Sequence, residues 1–441
     1  MKWIFIAGLL VLIPAMVGML RAHPQYRLYA AFLIGLLPFI IVPYLTVAPI
    51  SWAMWPGPVK GVEVSLLDAV ALAVLFSTPA FRTPLALKVS CGIITLALFI
   101  STSTGYQTVP ALFYAWQLLR MVVVFLAVSR LCASVPEAPI ALLAGAGLGL
   151  TYEAGLAVYQ YLGGNPRPGG NLGHSNFLGL ASDFVVFPTL ALLMGGKRFW
   201  WPAIVVFAGL TIAVVGGSRA TLGLFGIGSV LTVILSLRHH RTSKKFGFAG
   251  LAAFAMLVAA PVIIWGADRR SESEKISSDL DRAAMTAAAS MMIGEHPLGV
   301  GADQYVIVAN SGGYSDRANV PWDAGDRSAP VHNFYYLITA ELGFVGLIGF
   351  LTILASLLGN AFRALGRPIK ERTSELIPGL AAMLVVVIVH ISFEWVFMQF
   401  VLQYLFAISA GVLIPVAARS NALSKVSRSR PISHQAVAQA G

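Results

Sequence analysis

Apolar residues come in long runs along almost the whole chain, and one extended polar interval interrupts them. Runs of about 20 residues with few charges are long enough to cross the hydrocarbon core as helices, which satisfy their own backbone polar groups. About thirteen spans are predicted on this basis, in 3–20, 28–47, 65–80, 87–103, 111–131, 139–161, 174–194, 199–215, 220–237, 247–266, 333–360, 376–397 and 399–417. The interruption is 267–331. Inside it, Ser278 followed by Asp281 has capping-box spacing, and Leu280, Ala284, Ala287 and Met291 recur at helical intervals. That pattern predicts a short amphipathic helix over 279–293, ended by Gly294 and Pro297. The expected fold is all-α: a polytopic bundle of about 12–13 transmembrane helices with one large outer loop.

Lys and Arg then orient the bundle, because short loops rich in them stay cytoplasmic. Arg21 and Arg27, Arg82 and Lys88, Lys197 and Arg198, the run RHHRTSKK (238–245), Arg363 to Arg372, and the tail with Arg419, Lys425, Arg428 and Arg430 fall on one side if the helices alternate. The N-terminus and the 267–331 loop are therefore expected outside and the C-terminus in the cytoplasm. The first run has no small-residue cleavage site followed by a soluble domain, so it reads as a retained helix. Three regions follow: 1–164, N-terminal helices; 165–417, helices with the outer loop; and 418–441, a basic disordered tail.

Composition agrees, with 57% hydrophobic and 11% charged residues and a mean hydropathy of +0.79. The net charge of +11 is mostly the orientation signal plus attraction to anionic lipid head groups, and calls for no nucleic acid. Cys91 and Cys132 lie within or at the end of spans, which argues against a disulfide framework or a thiol-held metal. No internal repeat of the transporter kind is evident.

Chemistry concentrates on the outer face. In NPRPGGNLGHSNFLGLAS (165–182), Pro and Gly forbid a helix until His174 and Asn176 open the next span; a tight turn with a polar helix start is the plain reading. GGSRAT (216–221) sets Arg219 at the outer surface beside two glycines, where it could snorkel to lipid phosphate or meet a ligand. Arg282 falls in the first turn of the predicted loop helix, a place the helix dipole disfavours for a cation, so another demand holds it there. Asp279 and Asp281 form a DxD pair, but helix capping explains so common a pattern and no metal is assigned. His332 stands where the chain re-enters the membrane at APVHNFYYLITAELGFVGLIGF (329–350). Two arginines and a histidine suit one reaction: guanidinium groups hold a diphosphate, and a neutral imidazole takes the proton of an attacking hydroxyl. Arg120, Glu153, Asp183, His390 and Glu394 lie within spans, where ionisable groups are costly and face a partner or a cavity. Arg120 is expected to pair with Glu153 or Asp183, or else to add positive potential beneath a diphosphate.

The order GGNLGHSNFLGL, GGSRAT, DRAAMTAAASMMIGEHPLGVGADQYV and VHNFYYLITAELGFVGL resembles the O-antigen ligase and polymerase superfamily of bacterial polysaccharide assembly. These motifs fall within 165–350; the earlier helices match in hydropathy and spacing alone. The resemblance implies a C-type glycosyltransferase fold in the bacterial inner membrane with a periplasmic active face, inverting, metal-independent and without cofactor. Its donor would be an undecaprenyl-diphosphate-linked glycan, and its acceptor another lipid-linked glycan, lipid A-core or, as a lesser variant, a protein. Polysaccharide-assembly proteins are implied partners. Carried over by residue, Arg219 and Arg282 become diphosphate ligands and His332 the general base, with Arg120, His174 and Asn176 in support. Related proteins often carry a Trp a few residues after the loop-helix arginine, where this chain has Met285 and Thr286. A transporter or flippase of lipid-linked sugars is the alternative class. It predicts broken mid-membrane helices or charges lining a path through both leaflets, whereas the polar groups here favour one side.

Overall fold

The computed structural model describes residues 2–41, 45–196, 200–250, 272–322, 324–366 and 371–429. The chain opens with α1 (Lys2–Ala22) and α2 (Arg27–Leu36), followed by an antiparallel hairpin of β1 (Thr46–Ser51) and β2 (Gly61–Ser65). Next come α3 (Leu66–Ser77), α4 (Leu85–Thr104), α5 (Thr108–Ser134), α6 (Ala138–Leu162), α7 (Ser175–Met194), α8 (Trp201–Val215) and α9 (Arg219–His239). The polar interval holds α10 (Glu272–Glu295) and three short helices, α11 (Tyr305–Ser311), α12 (Tyr314–Arg317) and α13 (Ala324–Ser328). The chain closes with α14 (Phe334–Leu365), α15 (Leu376–His390) and α16 (Phe400–Ser429). Among the described residues nine helices are long and apolar enough to cross a membrane, and α3 and α8 are shorter apolar helices. The protein is an all-α polytopic membrane protein. The span expected at 247–266 lies almost wholly outside the described residues.

Several expected elements differ: 418–429, expected as part of a disordered tail, continue α16 as helix, and the span expected at 376–397 ends as a helix at His390, leaving Glu394 in the loop that follows. The run 28–47 does not continue as one helix: α2 stops at Leu36 and passes through a single 3-10 turn, Leu37–Phe39. Pro38 in that turn has no N–H to continue the ladder. The loop helix runs Glu272–Glu295 and not merely 279–293. Asp279, Asp281 and Arg282 therefore sit within it, so Asp279 and Asp281 are not its caps and Arg282 is not opposed by its dipole.

α7 is the buried centre of the bundle, with 94% of its apolar window inside the protein, packed by α6, α8, α9 and α15. A stripe of small residues lets backbones meet elsewhere: a Cβ on Gly35 of α2 would stand 2.0 Å from the Leu142 carbonyl oxygen of α6. At the end opposite the polar interval, Lys245 Nζ binds Glu375 at 2.6 Å and the Ser236 carbonyl at 3.1 Å, while His239 Nδ1 lies 3.2 Å from the Leu365 carbonyl.

At the loop end, one device seats the polar interval on the bundle. α14 is broken at Gly343, where φ is 67° and ψ −174°, a conformation open to glycine and strained for other residues. The segment 297–301 lies across that break. Val300 N–H donates to the Ala340 carbonyl (2.9 Å), Gly301 N–H to Glu341 (3.2 Å), and Phe344 N–H to Pro297 (3.1 Å). A few residues on, the fully buried Asp303 accepts from Trp55 Nε1 (2.8 Å) and from Val59 N–H (3.1 Å). The tip of the β hairpin is thus clasped to the loop.

Candidate functional site

The loop between α15 and α16 carries Glu394, whose side chain is 2% exposed. The start of α14 is bound to the same loop by Phe334 N–H donating to the Ile391 carbonyl (2.9 Å). Asn333 caps α14, its side-chain oxygen accepting from Tyr335 N–H (3.0 Å) and Tyr336 N–H (3.2 Å). His332, next to that cap, is thereby set beside Glu394, with Nδ1 3.4 Å from Glu394 Oε2. From α10, Arg282 Nη2 reaches Glu394 Oε1 at 3.4 Å. From the first turn of α7, Asn176 Nδ2 donates to the same Oε1. One buried carboxylate therefore gathers residues from α7, α10 and the turn that leads into α14.

An ionised carboxylate only accepts, so its contact with His332 puts the imidazole proton on Nδ1 and leaves Nε2 free. Burial pushes the Glu394 carboxyl up. The hydrogen bond and charge of His332, with Arg282 and His390, outweigh burial and hold it below the usual carboxylate value. His332 and Arg282 are partly open, at 22% and 38% side-chain exposure, so the guanidinium and the imidazole are accessible while the carboxylate is not.

His174 is the N-cap of α7, its Nδ1 accepting from Asn176 N–H at 3.2 Å. Partial desolvation lowers its pKa; Glu394 opposes that shift, and the Arg167, His332 and Arg282 charges reinforce it. The loop before it is pinned to α6. Glu153 Oε2 accepts from Asn171 N–H (2.8 Å), and the Gln160 amide brackets Gly170 through both its oxygen and its nitrogen (3.0 Å each). Arg219 is the first residue of α9 and is exposed. Its helix begins beside this loop: a Cβ on Gly216 would lie 3.7 Å from the Ser175 Cβ, and Ser218 caps Thr221 N–H at 3.3 Å. Arg219 has no ion-pair partner among the described residues. Asn176, Arg282 and His332 are in contact through Glu394, and His174 adjoins them. Arg219 stands outside that contact set.

Arg120 belongs to a different cluster. Its Nε binds Asp68 Oδ2 at 3.0 Å and its Nη1 binds Glu63 Oε2 at 3.3 Å; Nη2 donates to the Tyr404 hydroxyl, which donates to Asp68 Oδ1 at 2.5 Å. Asp68 also closes the capping box of α3, accepting from Ser65 N–H at 2.8 Å. The expected partners are engaged elsewhere, Glu153 with the Asn171 loop and Asp183 with His390 at 2.7 Å. The reason is packing: α5 lies mainly on α3 and α16, away from α7.

The hub role of Glu394 was not readable from motifs. Its signal was the cost of an acid at the end of an apolar run, one turn beyond His390, without any indication of which helices would face it.

Residues 203–351 match the model of the O-antigen ligase family. The match is a similarity of that stretch to the family. It includes Arg219, Arg282 and His332 and stops within α14, before Glu394. No curated protein matches the chain.

Proposed function

We propose that this protein is an inverting glycosyltransferase acting at the periplasmic face of a bacterial inner membrane. It moves the glycan of an undecaprenyl-diphosphate donor onto an acceptor hydroxyl, without metal or cofactor, as a polysaccharide polymerase or an O-antigen ligase. The observation that carries this reading is the meeting of Arg282 and His332 on one buried carboxylate, 3.4 Å from each, at an end of the bundle where α7, α9 and α14 all begin. Helix N-termini favour an anion there, and the open guanidinium of Arg282 supplies donors for it. Arg219, at the first turn of α9, is the second diphosphate ligand.

His332 Nε2 takes the proton of the acceptor hydroxyl as that oxygen bonds to the anomeric carbon. The carbon–oxygen bond to the diphosphate breaks with its electron pair, and the charge that develops on the leaving group falls to Arg282 and Arg219. One displacement inverts the anomeric configuration. His174 and Asn176 shape the site from the α7 side. The acceptor is a second lipid-linked glycan in a polymerase and lipid A-core in a ligase.

The test is transfer by the purified protein in nanodiscs from a labelled undecaprenyl-diphosphate oligosaccharide, alone or with lipid A-core, resolved on a gel. A ladder from donor alone identifies a polymerase, and a single transfer that needs lipid A-core identifies a ligase. No product, with label crossing between leaflets in proteoliposomes, would overturn the reading in favour of transport.

A further inference from the structure

Glu394 is shared unevenly. Its Oε1 takes Asn176 Nδ2 and Arg282 Nη2, while Oε2, among the described residues, faces His332 alone. The contacts with Arg282 and His332, each at 3.4 Å, are longer than the roughly 2.7–2.9 Å of a strong charge-assisted bond, so neither partner holds the carboxylate fully. Arg282 comes from a helix outside the bundle core and is partly exposed, whereas Asn176 is 4% exposed and fixed in α7. Removing Arg282 would therefore not strand Glu394 in a low-dielectric site, because Asn176 and His332 would still satisfy one oxygen each. A diphosphate carries more charge than a carboxylate and offers paired oxygens to a guanidinium fork.

Building on the transferase reading, we propose that Glu394 is a positioning residue exchanged between Arg282 and His332: a bound diphosphate draws Arg282 away, and the carboxylate becomes the sole ionic partner of His332. The base is then strengthened when the donor is in place. While Arg282 shares Glu394, its positive charge opposes a proton on His332; once Arg282 is neutralised by diphosphate, Glu394 stabilises the imidazolium formed as the acceptor hydroxyl gives up its proton. When the diphosphate product leaves, Arg282 returns to Oε1 and the proton on Nε2 passes to solvent. The other charges facing this pair are His174 and Arg167 from the loop before α7, and His390 from α15, itself bound to Asp183. None of them bridges Arg282 and His332 as Glu394 does.

The test uses inorganic diphosphate and the full chain in detergent. Diethyl pyrocarbonate labels only neutral imidazole, and peptide mapping reads its rate at His332. In the wild type, diphosphate should slow labelling about threefold near pH 6.5 and leave it unchanged near pH 9, where free imidazoles are neutral. In Glu394→Gln the slowing near pH 6.5 should vanish; kcat should fall at least about tenfold with donor KM unchanged or lower, and Glu394→Asp should restore part of kcat. Equal slowing in both proteins overturns the exchange, since the anion's own charge would then suffice. Slowing that persists near pH 9 overturns it as well, being steric. So does normal kcat in a Glu394→Gln protein that has lost only thermal stability. Calorimetry separates the two levels: diphosphate that binds without altering labelling defeats the exchange alone, and diphosphate that does not bind defeats the functional reading too.

Discussion

Around Arg120 one guanidinium faces two carboxylates, Asp68 and Glu63; around Glu394 one carboxylate faces a guanidinium and an imidazole. The first arginine is almost sealed, at 3% side-chain exposure, with donors spent on Asp68, Glu63 and the Tyr404 hydroxyl. The second, Arg282, is 38% exposed and touches its partner at one nitrogen. An anionic ligand would be repelled by the acid excess of the first cluster and attracted by the basic excess of the second. Two arginines from the same chain thus differ in role because of what surrounds them: one ties helices together, and the other is left with capacity to bind.

The sharpest way to break this contrast is His332→Ala. Transfer should fall by about 10²- to 10⁴-fold while the protein still elutes as a monodisperse species, measured by donor turnover beside size exclusion; robust turnover would remove His332 as the base. Next comes Arg120→Met, which strands Asp68 and Glu63 and should cost about 3–5 kcal/mol of stability, read as a fall in folded yield and melting temperature. Donor affinity in the surviving protein should be unchanged, and adding Asp68→Asn and Glu63→Gln should recover yield. A loss of affinity without a loss of yield would move Arg120 into the binding site.

Arg219→Gln should behave in the opposite manner. Its side chain is exposed and has no ion-pair partner among the described residues, so melting should shift by no more than about 0.5 kcal/mol, while donor KM rises about tenfold, as for one lost charge-assisted contact. The smallest effect is in pH dependence. Burial, chiefly, raises the Glu63 carboxyl, with Arg120 opposing and Asp68 assisting, whereas Glu394 is held low. The folded value of Glu63 lies above its unfolded one, so its ionised form weighs against the fold, and acidification relieves that cost through the range above about 4.3. The folded value of Glu394 lies below, so its contribution is complete above about 4.3 and is lost only as pH falls beneath it. Melting curves of Glu63→Gln should therefore flatten the upper part of the acid profile, and those of Glu394→Gln the lower part. The same change in both variants would mean that the clusters are not electrostatically opposite.

Much of this contrast lay beyond the linear pattern. Hydropathy made the long helices legible because lipid imposes a length and a composition on each one, and the motif order brought Arg219, Arg282 and His332 forward. The β hairpin left a weaker trace, since its strands of six and five residues adjoin apolar runs, although Pro38 marked where α2 had to stop. Partner choice was least visible. Arg120 needed an acid, and Glu153 and Asp183 were acids within spans, but which one it meets depends on which helices face each other. Asp68, at the start of α3, completes a helix cap as well as meeting Arg120, and nothing in the linear pattern separates those two tasks. Glu394 stood out as costly, and its task appeared only once α7, α10 and the turn that leads into α14 were seen to converge on it.

The clasp at Asp303 bears on how this protein can be divided. The stretch shared with the O-antigen ligase family supplies Asp303, but the groups that satisfy its carboxylate, Trp55 and Val59, come from a hairpin almost 250 positions earlier by the pairing separations of 248 and 244. The carboxylate that gathers Arg282 and His332 arrives from the far side of the same stretch. A chimera that transplanted 203–351 into another scaffold would import a buried acid without Trp55 and Val59 to satisfy it, and an arginine and a histidine with no shared anchor. The smallest transferable unit is therefore a discontinuous one, and exchange between relatives would have to carry the hairpin and the turn before α16 together with the segment they enclose.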